Sequence, residues 1–249
     1  MGRTYVETFD NGPGGWATYE RHTVLRALEH RNGVVTNRSP FMLDSNHAYP
    51  GGGYFLIVAF LMTLPSPGFD SEIEAVAGTN AFLEGGYPAD FTNARVTVRL
   101  KGEGDTKGAR LVLHTAAEVG DLIVPAQLVG QPIEITRTWS EQTVTMAPEQ
   151  SQWNMMGGNW SKGKRYRFGT INEVLPQVKN LIFVLSDIDV VPAAPMKVDS
   201  AKITFGEPAQ IPPGLEPRYI LRAGRDYPVD WTLLPSGSIA IDTVKIEFP

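Results

Sequence analysis

The chain has 249 residues, of which 42% are hydrophobic and 20% charged, with a formal net charge of −5. That apolar share supports a buried core and excludes a disordered chain, while the acidic balance excludes nucleic-acid binding driven by overall charge. No cysteine is present, so disulfides and thiol chemistry are excluded and redox leaves the compartment open.

The N-terminal MGRTYVETFD enters strand-like alternation at once and lacks the basic region and apolar run of a secretory signal. Two alternatives stand: a protein that stays inside, or one whose leader was removed. The longest apolar run, Tyr54 to Met62, follows Gly51, Gly52 and Gly53 and falls short of the ~20 residues of a membrane helix. It reads as a buried strand, and no membrane partner is expected.

Further along, Val96, Val98 and Leu100 alternate with Arg95, Thr97 and Arg99, the period of a strand with one buried and one wet face. Leu111 to His114, Ile133 to Thr136, Trp139 to Met146 and Leu181 to Val190 add short β-rich runs between Gly, Pro, Asn and Asp clusters. Trp139 opens one of these strands and is expected in the core. Thr170 stands three residues before Glu173, the spacing of a capping box, and Pro176 confines the helix that follows to a turn or two. Gly206 to Pro217 contains four prolines and reads as an extended connector. The expected fold is all-β, a jelly-roll β-sandwich with one short helix. Residues 1–205 would form the sandwich, 206–217 the connector, and 218–249 a C-terminal strand segment packed on the same sandwich.

Two segments resemble each other: VDSAKITF, Val198 to Phe205, and IDTVKIEF, Ile241 to Phe248. Strand alternation places Asp199, Ala201, Ile203 and Phe205 on one face, and likewise Asp242, Val244, Ile246 and Phe248. A carboxylate at the rim of an apolar face needs a cation, an Arg or backbone N–H groups to offset desolvation. Calcium is one solution, and a turn capped by the Asp is the other.

The opening ETFDNGPGGW, Glu7 to Trp16, joined to the closing IDTVKIEF, resembles galactose-binding-like jelly-roll domains, a group that includes carbohydrate-binding modules and laminin IV-type domains. PGGGYF near Tyr54, TWSEQTVTM near Trp139, Trp153 and the helix before LIFVLSDI are similar in order. The resemblance implies a carbohydrate ligand and a structural calcium shared by an acidic residue near the first strand and an Asp of the last. Here those positions are Asp10, with Glu7 nearby, and Asp242 or Asp199. Two closing strands leave open which Asp takes part.

Two loops are candidate sites. In Gln152 to Gly169, Trp153, Trp160, Tyr166 and Phe168 interleave with Lys162, Lys164, Arg165 and Arg167. Aromatic faces stack on sugar C–H surfaces and Arg forks hold carboxylate or sulfate, so Trp153, Trp160, Arg165, Tyr166 and Arg167 would suit an acidic glycan. The alternative is a buried Trp153 beside a solvated cationic loop. In Asp44 to Tyr54, His47 would act as a general base oriented by Asp44, with Tyr49 as acid, against the alternative of an ordinary polar turn.

His22, His30 and His114 lack metal-ligand spacing. The carboxylates Asp187 and Asp189 lie on one strand face, at a separation a glycosidase would also use. No nucleophile elbow, phosphate loop or dinucleotide fingerprint occurs. The leading expectation is non-catalytic carbohydrate binding, with no nucleic-acid partner. The alternatives are a polysaccharide lyase or glycoside hydrolase, and a structural protein, such as a surface or phage-tail component, that assembles as a homo-oligomer.

Overall fold

The structure is a computed structural model. It describes residues 2–21, 24–39, 41–44, 56–63, 80–106, 108, 110–155, 169–186, 196–198, 203–205 and 235–249. The strands, in chain order, are β1 (Thr4–Glu7), β2 (Trp16–Arg21), β3 (Val24–Ala27), β4 (Glu29–His30), β5 (Val35–Arg38), β6 (Met42–Asp44), β7 (Leu56–Thr63) and β8 (Arg95–Asp105). They continue with β9 (Arg110–Val119), β10 (Leu122–Leu128), β11 (Ser140–Thr145), β12 (Trp153–Met155), β13 (Val178–Ser186), β14 (Met196–Val198), β15 (Ile203–Phe205) and β16 (Ser236–Glu247).

All pairings among them are antiparallel. A six-stranded sheet runs β11-β8-β16-β5-β4, with β1 also on β16, and an eight-stranded sheet runs β12-β10-β9-β13-β7-β2-β3, with β6 also on β7. The chain crosses repeatedly between the two, as from β7 to β8, β8 to β9 and β10 to β11, in the manner of a jelly-roll sandwich. β16 lies at the centre of the smaller sheet, between β8 on one side and β5 and β1 on the other.

The inward faces build one continuous core. Val96, Val98 and Leu100 of β8 and Ile239, Ile241, Val244 and Ile246 of β16 belong to the same buried cluster as Leu111, Leu113, Leu181, Phe183 and Leu185 of the larger sheet. Each such side chain contributes about 1.5–3 kcal/mol by leaving water. Trp16 stacks on Phe183 at 5.7 Å, and Tyr5 meets Phe82 edge-on at 5.1 Å.

The two sheets differ in their outer faces. In β9, seven consecutive residues from Leu111 to Ala117 are buried, so that strand is covered on both sides. In β8 buried and half-exposed residues alternate from Val96 to Gly102, so the smaller sheet keeps an open outer face.

Among the described residues two short α-helices are found, α1 (Ala81–Glu84) and α2 (Ile171–Val174). The expected capping box is present in α2, with the Thr170 N–H donating to Glu173 Oε2 at 2.8 Å, and a 3₁₀ turn at Leu175–Gln177 carries Pro176. α1 is a further single turn, capped by Asn80, whose side chain accepts from the Leu83 N–H at 3.1 Å.

Two sequence expectations are corrected. The run Ile133 to Thr136 forms an isolated bridge from Ile133 to Leu111 rather than a strand. The segments resembling each other do not fold alike: Val198 pairs antiparallel with Ile203, so the first copy is split across β14 and β15, whereas the second lies within β16 and its end. The connector 206–217 lies outside the described residues.

Candidate ligand groove on the open sheet face

Strand register builds a groove on the outer face of the six-stranded sheet. On β16, Ser238 and Ala240 point outward and are small. Ser238 stands between Glu103 of β8 and Arg38 of β5, and Ala240 between Lys101 and Thr36. Short side chains on the central strand, flanked by the long Glu103 and Lys101 on one neighbour and Arg38 on the other, leave a trough of about 460 Å³.

Its rims come from two turns. β4 and β5 are joined through Asn32 and Gly33, whose φ values of 51° and 69° are those of a tight hairpin turn, closed by Arg31 N–H to Val34 O at 2.9 Å and Val34 N–H to Arg31 O at 3.1 Å. That turn sets Arg31 on one rim. On the other, the Gly102 N–H donates to Thr136 O at 2.8 Å, and the Thr136 hydroxyl donates to Thr138 O at 2.7 Å. The segment so anchored carries Arg137 and Trp139 to the groove.

Trp139 is half-buried here and is not a core residue, which corrects the sequence expectation. Its ring lies 5.0 Å from the Arg99 guanidinium carbon and 4.9 Å from Lys101 Nζ, both cation–π distances. Arg99 in turn donates to Asp242 Oδ2, which fixes one of those cations.

The groove is locally positive on an acidic chain. Arg31, Arg38, Lys101 and Arg137 face Glu29 and Glu103, four cations against two carboxylates. Arg38 is paired with Glu29 at 3.0 Å. Arg31 and Arg137 find no carboxylate partner among the described residues. An open site with an aromatic ring, unpaired guanidinium groups and a small-residue floor can hold a flat, polar, anionic ligand.

Of the residues expected from sequence, only some are among the described residues. Trp153, at the start of β12, is 5% exposed, and its indole N–H donates to Ala147 O at 2.9 Å, so its ring belongs to the core. Trp160, Arg165, Tyr166 and Arg167 lie outside the described residues, as do His47, Tyr49, Asp187, Asp189 and Asp199. Asp44 ends β6, opposite Leu56.

Glu7 and Asp242 lie on opposite faces of the sheet. Glu7 is opposite Val244 and points inward, where its carboxylate accepts from the Phe9 N–H at 2.8 Å and from the Tyr5 hydroxyl at 3.3 Å. Burial, and then the Glu7 charge, push the Tyr5 phenol well above its usual pKa. Asp242 is the extra residue of a bulge between Ile241 and Thr243, and turns to the outer face to meet Arg99. Its other oxygen, Oδ1, is buried without a hydrogen-bond partner among the described residues. Asp10 is exposed and accepts from the Thr8 hydroxyl at 2.7 Å. Among the described residues no three His, Asp or Glu side chains converge as metal ligands. Nor, among them, is any helix long and apolar enough to cross a membrane.

Comparison with known proteins adds little. No family model matches the chain. No curated protein matches it. A solved structure described as the L4b domain of human laminin alpha-2 is similar over 99% of this chain and 97% of that one, with 8% identity and a TM-score of 0.40. Likeness at that level carries no argument. The chain's own geometry defines the class: an antiparallel β-sandwich with one covered and one open, charged sheet face.

Proposed function

We propose that the protein binds an anionic carbohydrate, without chemistry, in the groove around Trp139. The observation that carries this reading is the pairing of a half-buried tryptophan, braced by Arg99 and Lys101, with Arg31 and Arg137, which have no carboxylate partner among the described residues, across a floor of Ser238 and Ala240. A ring held by cations loses little freedom on binding, which favours stacking against a sugar face. Two guanidinium groups supply the charge-assisted bonds that carboxylate or sulfate accepts.

The test is isothermal titration with oligouronates, sulfated oligosaccharides and neutral oligosaccharides of matched length. Wild type is expected to bind at least one acidic series. Trp139→Ala and Arg137→Ala should each weaken that binding by about tenfold or more, the worth of one aromatic contact or one charge-assisted hydrogen bond. Trp160→Ala belongs in the same series, because the 152–169 loop is the other carbohydrate candidate in the sequence. Unchanged affinity in Trp139→Ala together with loss in Trp160→Ala would move the site to the loop. Absence of binding to any member would end the carbohydrate reading.

A further inference from the structure

A second, smaller cavity of about 110 Å³ adjoins the groove. Gly102, Glu103, Arg137 and Ser238 line both spaces, so the two are neighbours at the rim that carries Arg137. Its walls differ in character from those of the groove. Phe41, Leu185 and Ile239, all buried core residues, join Ile135 and Pro235 as an apolar part of the wall, beside the polar Glu103, Thr106, Arg137, Ser236 and Ser238. Leu185 belongs to the larger sheet and Ile239 to the smaller, so the pocket leads from the outer face into the space between the sheets.

Glycines keep its mouth clear. Gly102 follows Leu100 on the inward face of β8, and a Cβ there would stand 2.6 Å from Ile135 Cγ2. Gly104 and Gly237 are directly opposed, with φ of +127° and +116°, and a Cβ on either would strike the neighbouring strand's backbone. The two strands approach closely at this point with no side chain between them.

We infer that this pocket is a specificity subsite for a short apolar substituent, an acetyl group, carried by the acidic sugar in the groove; the inference rests on the carbohydrate reading above. An acetyl group matches on three counts. It fits a space of this size, its methyl meets Phe41, Leu185 and Ile239, and its carbonyl oxygen would lie at the mouth beside the Arg137 guanidinium. A free hydroxyl in the same place would offer no methyl to cover Phe41, Leu185 and Ile239.

The experiment compares an O-acetylated oligouronate with the same material after mild alkaline deacetylation, by titration against wild type, Ser236→Phe and Thr106→Phe. Ser236 and Thr106 line the small pocket but not the groove, so their larger replacements fill the one and spare the other. Wild type is expected to prefer the acetylated ligand by about tenfold, the worth of one methyl-sized group in an apolar pocket. At least one filled variant, with its melting temperature preserved, should lose that preference while binding the deacetylated ligand as wild type does. Equal wild-type affinity for both ligands would overturn the subsite and leave the groove reading standing. A preference that survives both folded variants would also overturn it. Failure of wild type to bind either ligand would overturn the subsite and the groove together.

Discussion

Replacing Glu7 by Ala tests whether its carboxylate is a structural acceptor. Two buried donors depend on it: the Phe9 N–H at 2.8 Å and the Tyr5 hydroxyl at 3.3 Å. Phe9 is held at φ 57°, a conformation uncommon for a large side chain, so the first of these bonds helps fix a turn that does not form by default. The carboxylate also fills the space over Gly14, where a Cβ would come within 2.0 Å of Glu7 Oε2. Leaving a buried donor unsatisfied costs about 1–3 kcal/mol. With the long 3.3 Å bond counted at the low end, Glu7→Ala should lose about 2–4 kcal/mol of folding stability. Urea unfolding followed by circular dichroism, with and without a calcium chelator, measures this directly. The chelator should leave the wild-type midpoint unchanged. A loss below about 0.5 kcal/mol in the variant would refute the acceptor role. A wild-type midpoint that falls on chelation would show a metal-ligand role instead.

Two further predictions concern the fold. Tyr5 has a pKa raised by burial, so at high pH the unfolded chain loses its phenolic proton while the folded chain keeps it. Its contribution is therefore fully present below about pH 10 and falls by about 1.4 kcal/mol per pH unit above it. Tyr5→Phe should remove that slope, and an unaltered alkaline profile of stability would contradict the assignment. Gly237→Ala places a Cβ 1.9 Å from the Glu103 carbonyl oxygen at a φ of +116°. It should cost about 2–4 kcal/mol and lower the melting temperature by roughly 5–15 °C, and calorimetry showing no shift would contradict the close approach of β8 and β16.

The fold was legible where local pattern and tertiary role agree. Val96, Val98 and Leu100 are buried as their alternation requires, and the capping box at Thr170 and Glu173 starts a helix that stops at the 3₁₀ turn carrying Pro176. The groove was not legible, because its floor and walls meet only through register. Ser238 and Ala240 look unremarkable until Glu103, Lys101, Thr36 and Arg38 are known to stand beside them.

Two signals were nonetheless present in the sequence. Asn32-Gly33 before Val34 and Val35 is a hairpin signature, and it places Arg31. Val144 and Met146 are the inward residues around β11, so counting back by twos puts Trp139 on the opposite, outward face. Reading Trp139 as core followed its apolar character and ignored its parity. Asp242 escaped the same kind of count for the opposite reason: a bulge between Ile241 and Thr243 shifts the alternation, and nothing local in IDTVKIEF announces it.

The central claim is that an anionic sugar occupies the outer face of the six-stranded sheet. The most direct test is a map of backbone amide chemical shifts in the isotope-labelled protein as an acidic oligosaccharide is added. Concerted, saturable shifts are expected at Lys101 and Glu103, at Arg137 to Ser140, and at Ser238 and Ala240, with the covered strand β9 unmoved. Shifts confined to the 152–169 loop, or the absence of any saturable shift, would contradict the claim.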